Sequence, residues 1–506
     1  MGNKFLPIIH GKGVSRAVIP RLAESEFREA VLRAAGNGGR VAALFGNPAA
    51  NGRLELFIVL ADDANGALAT ASTVVGDRYP ALTPECPQVH WFERELAEQW
   101  AVIPEGHPWL KPIRFHAPYR PGRTPWPPSE DGSILPGVTD YFRVEGDDVH
   151  EVAVGPVHAG IIEPGHFRFQ CHGENVFHLE IELGFQHRGL ERRLRGAPDK
   201  KTIHYIETAA GDTSIGHSLA YCHLLETLGG LQAPARALAL RGIALELERL
   251  ANHTGDLGAL AGDVGFLPTA SYCGRIRGDW LNMTAVLCGN RFGRGLIRPG
   301  GVAGDLDERA VEELRNALAK AESDVTSAVE LLWSSASVMA RFEETGCLGE
   351  QAALELGLVG PAVRACGVAR DARQDYPAGI FRYAQIPVST WQSGDVFARA
   401  FVRWMEIQRS IGFIREQLNM PAGGEIRHEI GPLEPDAMAV SFVEGWRGEI
   451  CHAVLTDAAG GFERYKMVDP SFHNWFGLAL AMRGQQISDF PLCNKSFNLS
   501  YCGHDL

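Results

Sequence analysis

The stretch ARALALRGIALELERLANHTGDLGALAG, residues 235–262, decides the fold of the larger part of this chain. Its Leu240, Ile243, Leu247 and Leu250 recur at steps of three and four residues, which places them on one face of a helix. Pro234 precedes the run, and proline is favoured at a helix start because its missing N–H needs no partner there. The sequence therefore predicts a long helix with one buried face.

Two further segments show the same helical period. One begins after Asp305 and Glu308, which match a D-x-x-E capping box, and reaches about Phe342. Another spans residues 395–418. Strand-like pieces occur in HEVAVGP at 150–156 and FRFQCHGENVFHLEIELG at 167–184. These patterns predict that residues 141–506 form a large, mainly α-helical domain with a small β region.

The first 115 residues have a different pattern. Residues 24–35 have helical spacing, and two apolar runs at 41–46 and 54–60 flank the turn-rich NPAANGR, which indicates a hairpin. A helix is expected from Trp91 to Val102. Residues 1–115 are therefore predicted to be a small α+β domain, and the fold class of the whole chain is α+β. A proline-rich linker is predicted at 116–140, with an ordinary surface loop as the alternative.

The charge balance excludes several classes of partner. Forty-eight Lys and Arg against 61 Asp and Glu give a net charge of −13, so no positive field attracts nucleic acid or anionic lipid.

The longest apolar stretch, at 54–61, is far shorter than the ~20 residues of a membrane-spanning helix. The N-terminus lacks the apolar segment of a secretion signal, so we expect a cytoplasmic chain that contacts a membrane only through partners.

Several motifs together resemble one known family. YPALTPECPQVHWFEREL at 79–96 and PEGHPWLKPIRF at 104–115 resemble the 30-kDa subunit of respiratory complex I. From residue 154 onward, the chain resembles the 49-kDa subunit of complex I and the large subunit of [NiFe] hydrogenases. The pieces that carry this resemblance include GPVHAGIIEPGHFRF, FQHRGLERRL, GPAVRACGVARDAR, VEGWRGEI and DFPLCNKSFNLSYCGHDL. Fusion of both parts in one chain is typical of the hydrogenase-4 and formate hydrogenlyase large subunits, which are group 4 [NiFe] hydrogenases.

The resemblance implies a nickel–iron site whose ligands this chain lacks. In the family, two C-x-x-C pairs supply four thiolates, the soft ligands that suit nickel and iron. The chain has ten cysteines and no such pair. Ala210 and Thr213 stand at the former ligand positions of the first pair, and Cys502 alone stands near those of the second. We therefore expect no metal in this chain and no hydrogenase activity.

The chemistry implied by complex I is also incomplete. In that family a tyrosine of an L-D-Y segment and a histidine of a G-P-x-H loop flank the quinone headgroup, but residues 209–211 contain no tyrosine. The resemblance leaves eight candidates for a polar cavity, whose groups would move protons or bind a carbonyl. They are His158, Glu163, His166, Asp212, His217, Arg364, Asp371 and Arg373. Asp212 is expected either to pair with Arg364 or Arg373 or to have a raised pKa. A purely structural role is the alternative for each residue.

The resemblance implies the large subunit of a membrane-associated, redox-driven, ion-translocating complex without a [NiFe] centre. Its partners would be an iron–sulfur small subunit, which holds a [4Fe–4S] cluster, and antiporter-like membrane subunits, at the cytoplasmic side of the inner membrane. The chain itself would hold no cofactor, with a quinone as an alternative ligand. Three other functions stay open: a quinone-reducing subunit of NADH dehydrogenase type, an active [NiFe] hydrogenase large subunit, and a non-catalytic scaffold whose cavity is filled by side chains.

Overall fold

The structure is a computed structural model that describes residues 4–126, 134–137, 139–158, 162–419 and 423–506. Parts of the predicted linker, 127–133 and 138, lie outside the described residues, as do 159–161 after His158. The predicted α+β class is confirmed, whereas the domain boundaries stay predictions.

The N-terminal part is a sheet with two long helices packed on it. Its elements are β1 Leu6–Ile8, β2 Val14–Ser15, β3 Arg21–Leu22, α1 Glu24–Gly36, β4 Arg40–Pro48, β5 Leu54–Asp62, β6 Ala67–Val75, β7 Arg78–Pro80, α2 His90–Trp100 and β8 Ile103–Glu105. β4 and β5 form the predicted hairpin, with Leu44 opposite Ile58. The sheet order is β1-β6-β5-β4, and β3 runs parallel to β6.

The large part combines three small antiparallel sheets, β9–β11, β12–β13 and β14–β16 extended by β2, with a helical body. Its strands are β9 Val149–Val154, β10 His166–His172, β11 Asn175–Glu182, β12 Ile297–Arg298, β13 Gly301–Val302, β14 Ala437–Gly445, β15 Gly448–Thr456 and β16 Phe462–Val468. Its helices up to the middle of the chain are α3 Leu190–Arg193, α4 Thr202–Ile206, α5 Ser214–Leu228, α6 Ala235–Asp263, α7 Leu267–Cys288 and α8 Glu308–Trp333. The remaining helices are α9 Ala336–Phe342, α10 Glu350–Glu355, α11 Gly360–Arg364, α12 Ala372–Asp375, α13 Val396–Gln417, α14 Pro470–Ala481, α15 Phe490–Phe497 and α16 Tyr501–Asp505.

The long helices follow the hydrophobic period closely, but one helix start was predicted wrongly. α6 and α13 match the predictions for 235–262 and 395–418 within one residue. The segment to Phe342 is divided into α8 and α9, and the cap of α8 is Asp307, whose side chain accepts from the Ala310 N–H at 2.7 Å. Asp305 is not the cap because it binds Arg236 instead, at 2.8 Å.

A tight turn between β14 and β15 positions the centre of the large part. The turn carries Trp446 and Arg447 and ends at Gly448, whose φ of +133° favours glycine. A Cβ atom at Gly448 would lie 2.8 Å from the Cα atom of Gly360, so the close approach of the two chain segments also requires glycine. α5 packs across β14 and β15, which brings its first turn beside this connection.

Within the described ranges, no helix has both the length and the apolar character needed to cross a membrane. The hydrophobic cores instead lie between α5, α6, α7 and α13, and between the N-terminal sheet and the outer face of β14–β16.

Candidate functional site

The segments that carry the former ligand positions lie side by side. The Arg188 guanidinium donates to the carbonyl oxygens of Ala209, at 3.0 Å, and Cys502, at 2.7 Å, and so connects them. Ala210 and Thr213 are buried, whereas Cys502 is half-buried. The structure therefore brings Ala210, Thr213 and Cys502 into one region, at the start of α5.

Cys502 is a protonated thiol at neutral pH. Burial and the nearby Glu163 carboxylate raise the pKa of Cys502 to about 11. Its sulfur atom lies 3.4 Å from Ser500 Oγ. A neutral thiol is a weak metal ligand and a weak nucleophile.

Asp212 forms a bidentate ion pair with Arg447, which corrects the expected partner. The two guanidinium nitrogens lie 2.6 and 2.7 Å from the two carboxylate oxygens. Burial opposes ionisation of Asp212, but Arg447 outweighs it and holds the pKa of Asp212 below its usual range. Asp212 is therefore ionised, and the alternative of a raised pKa is wrong.

The same turn fixes the backbone around Asp212. Trp446 Nε1 donates to the Asp212 carbonyl oxygen and lies near Thr213 Oγ1, each at 3.1 Å. Arg447 Nε donates to the carbonyl oxygen of Asn498, at 2.5 Å. The pair thus connects the loop before α5 to the C-terminal segment, two parts that the sequence separates by almost three hundred residues.

His158 and Glu163 lie in the loop between β9 and β10, and His166 is the first residue of β10. Glu163 accepts from the backbone N–H of Tyr501, at 3.3 Å, so it belongs to the same region. His158 Nε2 lies 2.8 Å from the Gly165 carbonyl oxygen, and His166 Nδ1 lies 3.1 Å from the Gly155 carbonyl oxygen. Both imidazoles bind the backbone of their own loop, and burial lowers the pKa of His166.

Arg364, Asp371 and Arg373 form a separate buried ion network. Arg364 binds Glu406 at 2.8 Å and Glu444 at 2.7 Å. Arg373 binds Asp371 at 2.6 Å, and it binds a further carboxylate, Glu246, at 3.0 Å. All three predicted residues are almost fully buried, and each has a partner of opposite charge within this network. They connect α6, α13 and β14, and none of them contacts Asp212, because their charge is already compensated.

His217 starts a chain of buried hydrogen bonds. Its Nε2 lies 3.1 Å from Asp469 Oδ2, and its Nδ1 lies 3.1 Å from Nε2 of His452. The chain continues from His452 Nδ1 to the Tyr465 hydroxyl, at 2.8 Å. Each of these four side chains is at most 1% exposed.

Glu248 is a further titratable group that sequence reasoning missed. Its carboxylate accepts from the backbone N–H groups of Ile215, at 2.7 Å, and Gly216, at 3.2 Å, at the start of α5. Burial, together with the charge of Asp212, raises the pKa of Glu248 to about 8 in spite of these bonds. Glu248 and Asp212 line one small cavity with about 10 Å³ of space for water. A carboxyl group with such a pKa can exchange a proton near neutral pH.

The residues around Cys502 do not fit a nickel–iron centre. The donors nearest Cys502 are its single thiol, the hydroxyls of Ser500 and Thr213, and the carboxylates of Glu163 and Asp212, of which Asp212 is bound by a guanidinium. Nickel bridged to iron requires several thiolates, which this set lacks. In the described part of the chain, no group of three or more His, Cys, Asp and Glu side chains is arranged to hold a metal ion.

The fold and site define a large subunit of the type found in hydrogenases and complex I. Residues 263–433 match the sequence model of the family described as the respiratory-chain NADH dehydrogenase 49 Kd subunit. A chain from the membrane-bound sulfane sulfur reductase, an archaeal respiratory membrane complex, has the same fold, with a TM-score of 0.67. That comparison covers 71% of this chain and 99% of the other, at 22% identity.

Two hydrogenase chains are among the relatives of this chain. The carbon monoxide-induced hydrogenase of Rhodospirillum rubrum is 32% identical over 351 residues, which cover 69% of this chain and 97% of the relative. Formate hydrogenlyase subunit 5 of Escherichia coli is 29% identical over 486 residues, or 92% of this chain and 84% of the relative. This chain belongs to the family of large subunits that complex I and the group 4 hydrogenases share, so the resemblance read from the motifs is confirmed.

Proposed function

We propose that this chain is the large subunit of a membrane-associated redox complex whose chemistry does not use a [NiFe] centre. The observation that carries the proposal is the Asp212–Arg447 ion pair, which lies between the former ligand positions Ala210 and Thr213. A guanidinium beside a metal would repel it, and a thiolate pair is absent from this loop. The loop is therefore built around the positive side chain of Arg447 instead of a metal cation.

The partners follow from family membership and from exposed apolar side chains. We infer an iron–sulfur small subunit that delivers electrons, and antiporter-like membrane subunits, at the cytoplasmic side of the inner membrane. Val157 is 80% exposed and Ile162 is 41% exposed, and both lie in the described parts of the loop between β9 and β10. Large apolar side chains on a loop beside the site fit a surface that a partner subunit covers.

The residues of the site would exchange protons with the reaction. Glu248, with a pKa of about 8, can hold or release a proton at neutral pH, and the ionised Asp212 beside it favours the protonated form. Arg447 supplies a fixed positive charge that stabilises a developing anion in the same region. A quinone is one acceptor that would use both groups, because its reduction adds protons as well as electrons.

A non-catalytic scaffold is the second candidate, and the size of the cavity favours it. The space beside Asp212 and Glu248 holds about one water molecule, so side chains fill most of the region that a substrate would occupy. Under this alternative, the chain transmits movement between the redox subunit and the membrane arm.

Purification of the intact complex, with an affinity tag on this chain, tests the proposal. We expect elemental mass spectrometry to find far less than one nickel per chain, together with iron that the partner subunit supplies. A family member with both C-x-x-C pairs, prepared in the same way, is the control. About one nickel per chain, together with hydrogen oxidation, would refute the proposal. Reduction of quinones by the nickel-free complex would support catalysis, and its absence for every acceptor would favour the scaffold.

A further inference from the structure

The four buried side chains Tyr465, His452, His217 and Asp469 lie in a continuous row of hydrogen bonds. Their separations, in this order, are 2.8, 3.1 and 3.1 Å. Each lies on a different element: Tyr465 on β16, His452 on β15, His217 on α5, and Asp469 at the cap of α14. If this row served only to join two secondary-structure elements, four polar side chains would not be needed in the core.

The bonding partners determine where the hydrogens lie. Asp469 accepts from the Ser471 N–H through Oδ1, at 2.8 Å, and its carboxylate can only accept, so His217 Nε2 carries a hydrogen. With that hydrogen on Nε2, His217 Nδ1 accepts from His452 Nε2. His452 is neutral because burial lowers its pKa far below the usual range, so its Nδ1 accepts from the Tyr465 hydroxyl. These positions are assigned from the hydrogen-bond geometry. All three hydrogens point toward Asp469.

The inner end of this row lies at the candidate site. A Cβ atom on Gly503, the residue after Cys502, would lie 2.7 Å from Asp469 Oδ2, so Asp469 contacts the backbone of the C-terminal segment. Burial opposes ionisation of Asp469, but its bond to His217 and the charge of Arg447 lower its pKa.

The outer end lies toward a large cavity. The Tyr465 ring is 6.5 Å from the ring of Tyr221, and Tyr221 lines a cavity of about 730 Å³. Lys200 and His204, both exposed, also line this cavity, so water reaches it.

We propose that Tyr465, His452, His217 and Asp469 form a proton-transfer path from the Tyr221-lined cavity to the candidate site. The Tyr465 proton moves to His452 Nδ1 while the His452 Nε2 proton moves to His217 Nδ1. The His217 Nε2 proton moves to Asp469, and a hydronium ion that enters from the cavity gives a proton to the Tyr465 oxygen and leaves water. One proton enters and one arrives at Asp469, so charge and atoms balance. The two imidazoles must rotate before a second proton follows.

This inference rests on the proposed redox function, but a separate measurement tests it. The intact complex is reduced rapidly in weak buffer with a pH-indicating dye, and proton uptake is followed in H₂O and D₂O. Tyr465→Phe removes the hydroxyl and keeps the ring, and His452→Gln interrupts the middle. Tyr79→Phe, which removes another buried hydroxyl in the N-terminal part, is the matched control. Subunit content, melting temperature and cluster reduction are measured on every variant.

We expect each relay variant to slow proton uptake by about a hundredfold while cluster reduction is unchanged. In H₂O–D₂O mixtures, the wild-type rate should fall along a curve because several protons move together, and the curvature should disappear in Tyr465→Phe. A purely structural role would not change this curvature. Unaltered uptake in both assembled variants, or no redox-linked uptake in the wild type, would overturn the path. Nickel in a complex whose uptake depends on Tyr465 would refute the proposed function alone.

Discussion

Replacement of Arg447 by glutamine should leave the Asp212 carboxylate without its cation. Loss of one partner from a buried ion pair costs about 3–5 kcal/mol, because the remaining charge stays desolvated. Asp212 retains 34% exposure of its side chain, so water compensates for part of this loss. Arg447 also donates to the Asn498 carbonyl oxygen, a bond that glutamine does not reproduce at the same length. We therefore expect the free energy of unfolding to fall by about 2–3 kcal/mol at pH 7.

The pH dependence follows from the direction of the Asp212 pKa. A carboxyl group whose pKa is lower in the folded state stabilises the fold above its unfolded pKa, and this contribution is lost as the pH falls through the folded value. The difference between wild type and Arg447→Gln should therefore be largest near pH 7 and should shrink toward pH ~4, where Asp212 of the variant is protonated.

A double-mutant cycle isolates the pair. The variants Arg447→Gln, Asp212→Asn and their combination are compared in the purified complex by pulse proteolysis in urea, which reads the unfolding of this chain. We expect a coupling energy of about 2 kcal/mol. The exposed pair Arg415–Glu322 is the matched control and should give less than ~0.5 kcal/mol. A coupling below ~0.5 kcal/mol for Asp212–Arg447 would refute the claim that this pair organises the loop before α5, which carries the former ligand positions Ala210 and Thr213.

The stability of Glu248→Gln relative to the wild type should increase as the pH rises from about 5 to 8. Because the folded pKa of Glu248 is raised to about 8, the free energy of unfolding of the wild type falls over that range, by at most ~1.4 kcal/mol per pH unit, whereas glutamine does not titrate. Unfolding of the two proteins at several pH values checks this, and parallel curves would contradict it. Arg364→Met should destabilise the chain by about 3–5 kcal/mol, because Glu444 would stay buried without its cation and Glu406 would keep only the longer ion pair with Arg249, and assembly on a native gel should fail; normal assembly would show that the network is dispensable. His166→Ala should abolish redox-coupled activity and leave assembly intact, since among the described residues its imidazole hydrogen-bonds to the Gly155 backbone and Arg168 and packs on the Tyr141 ring; wild-type turnover in the assembled variant would assign His166 a vestigial role.

Local pattern predicted the long helices but not the charge partners. The bounds of α6 and α13 follow from apolar residues that recur at helical spacing, which depends only on neighbouring positions. Asp212 and Arg447 are 235 residues apart, and no local period indicates such a contact. The motif VEGWRGEI contains Arg447, so the family resemblance marked the segment without giving its role.

The partners within the buried ion network of Arg364, Asp371 and Arg373 also do not follow from local sequence pattern. Arg364 and Arg373 were expected near Asp212 because both are charged and lie in a shared family motif. Glu246, Glu406 and Glu444 compensate them, although Glu246 and Glu406 come from helices that pattern alone assigns to an apolar core. Ion pairs between residues far apart in the sequence therefore determine which side chains meet at the site, and a single sequence does not show such pairs.

The turn between β14 and β15 joins the two polar regions that the sequence assigned to one cavity. At one end of the segment, Glu444 binds Arg364 and accepts from the Ala372 N–H at 3.0 Å. At the other end, Arg447 holds Asp212. Because Gly448 packs directly on Gly360, the turn has little room to move by itself. A change of charge beside Asp212 must therefore either break its bonds to Arg447 or displace the turn together with the Arg364 network. The second outcome transmits an event at this loop to α13, because Glu406 of α13 binds Arg364.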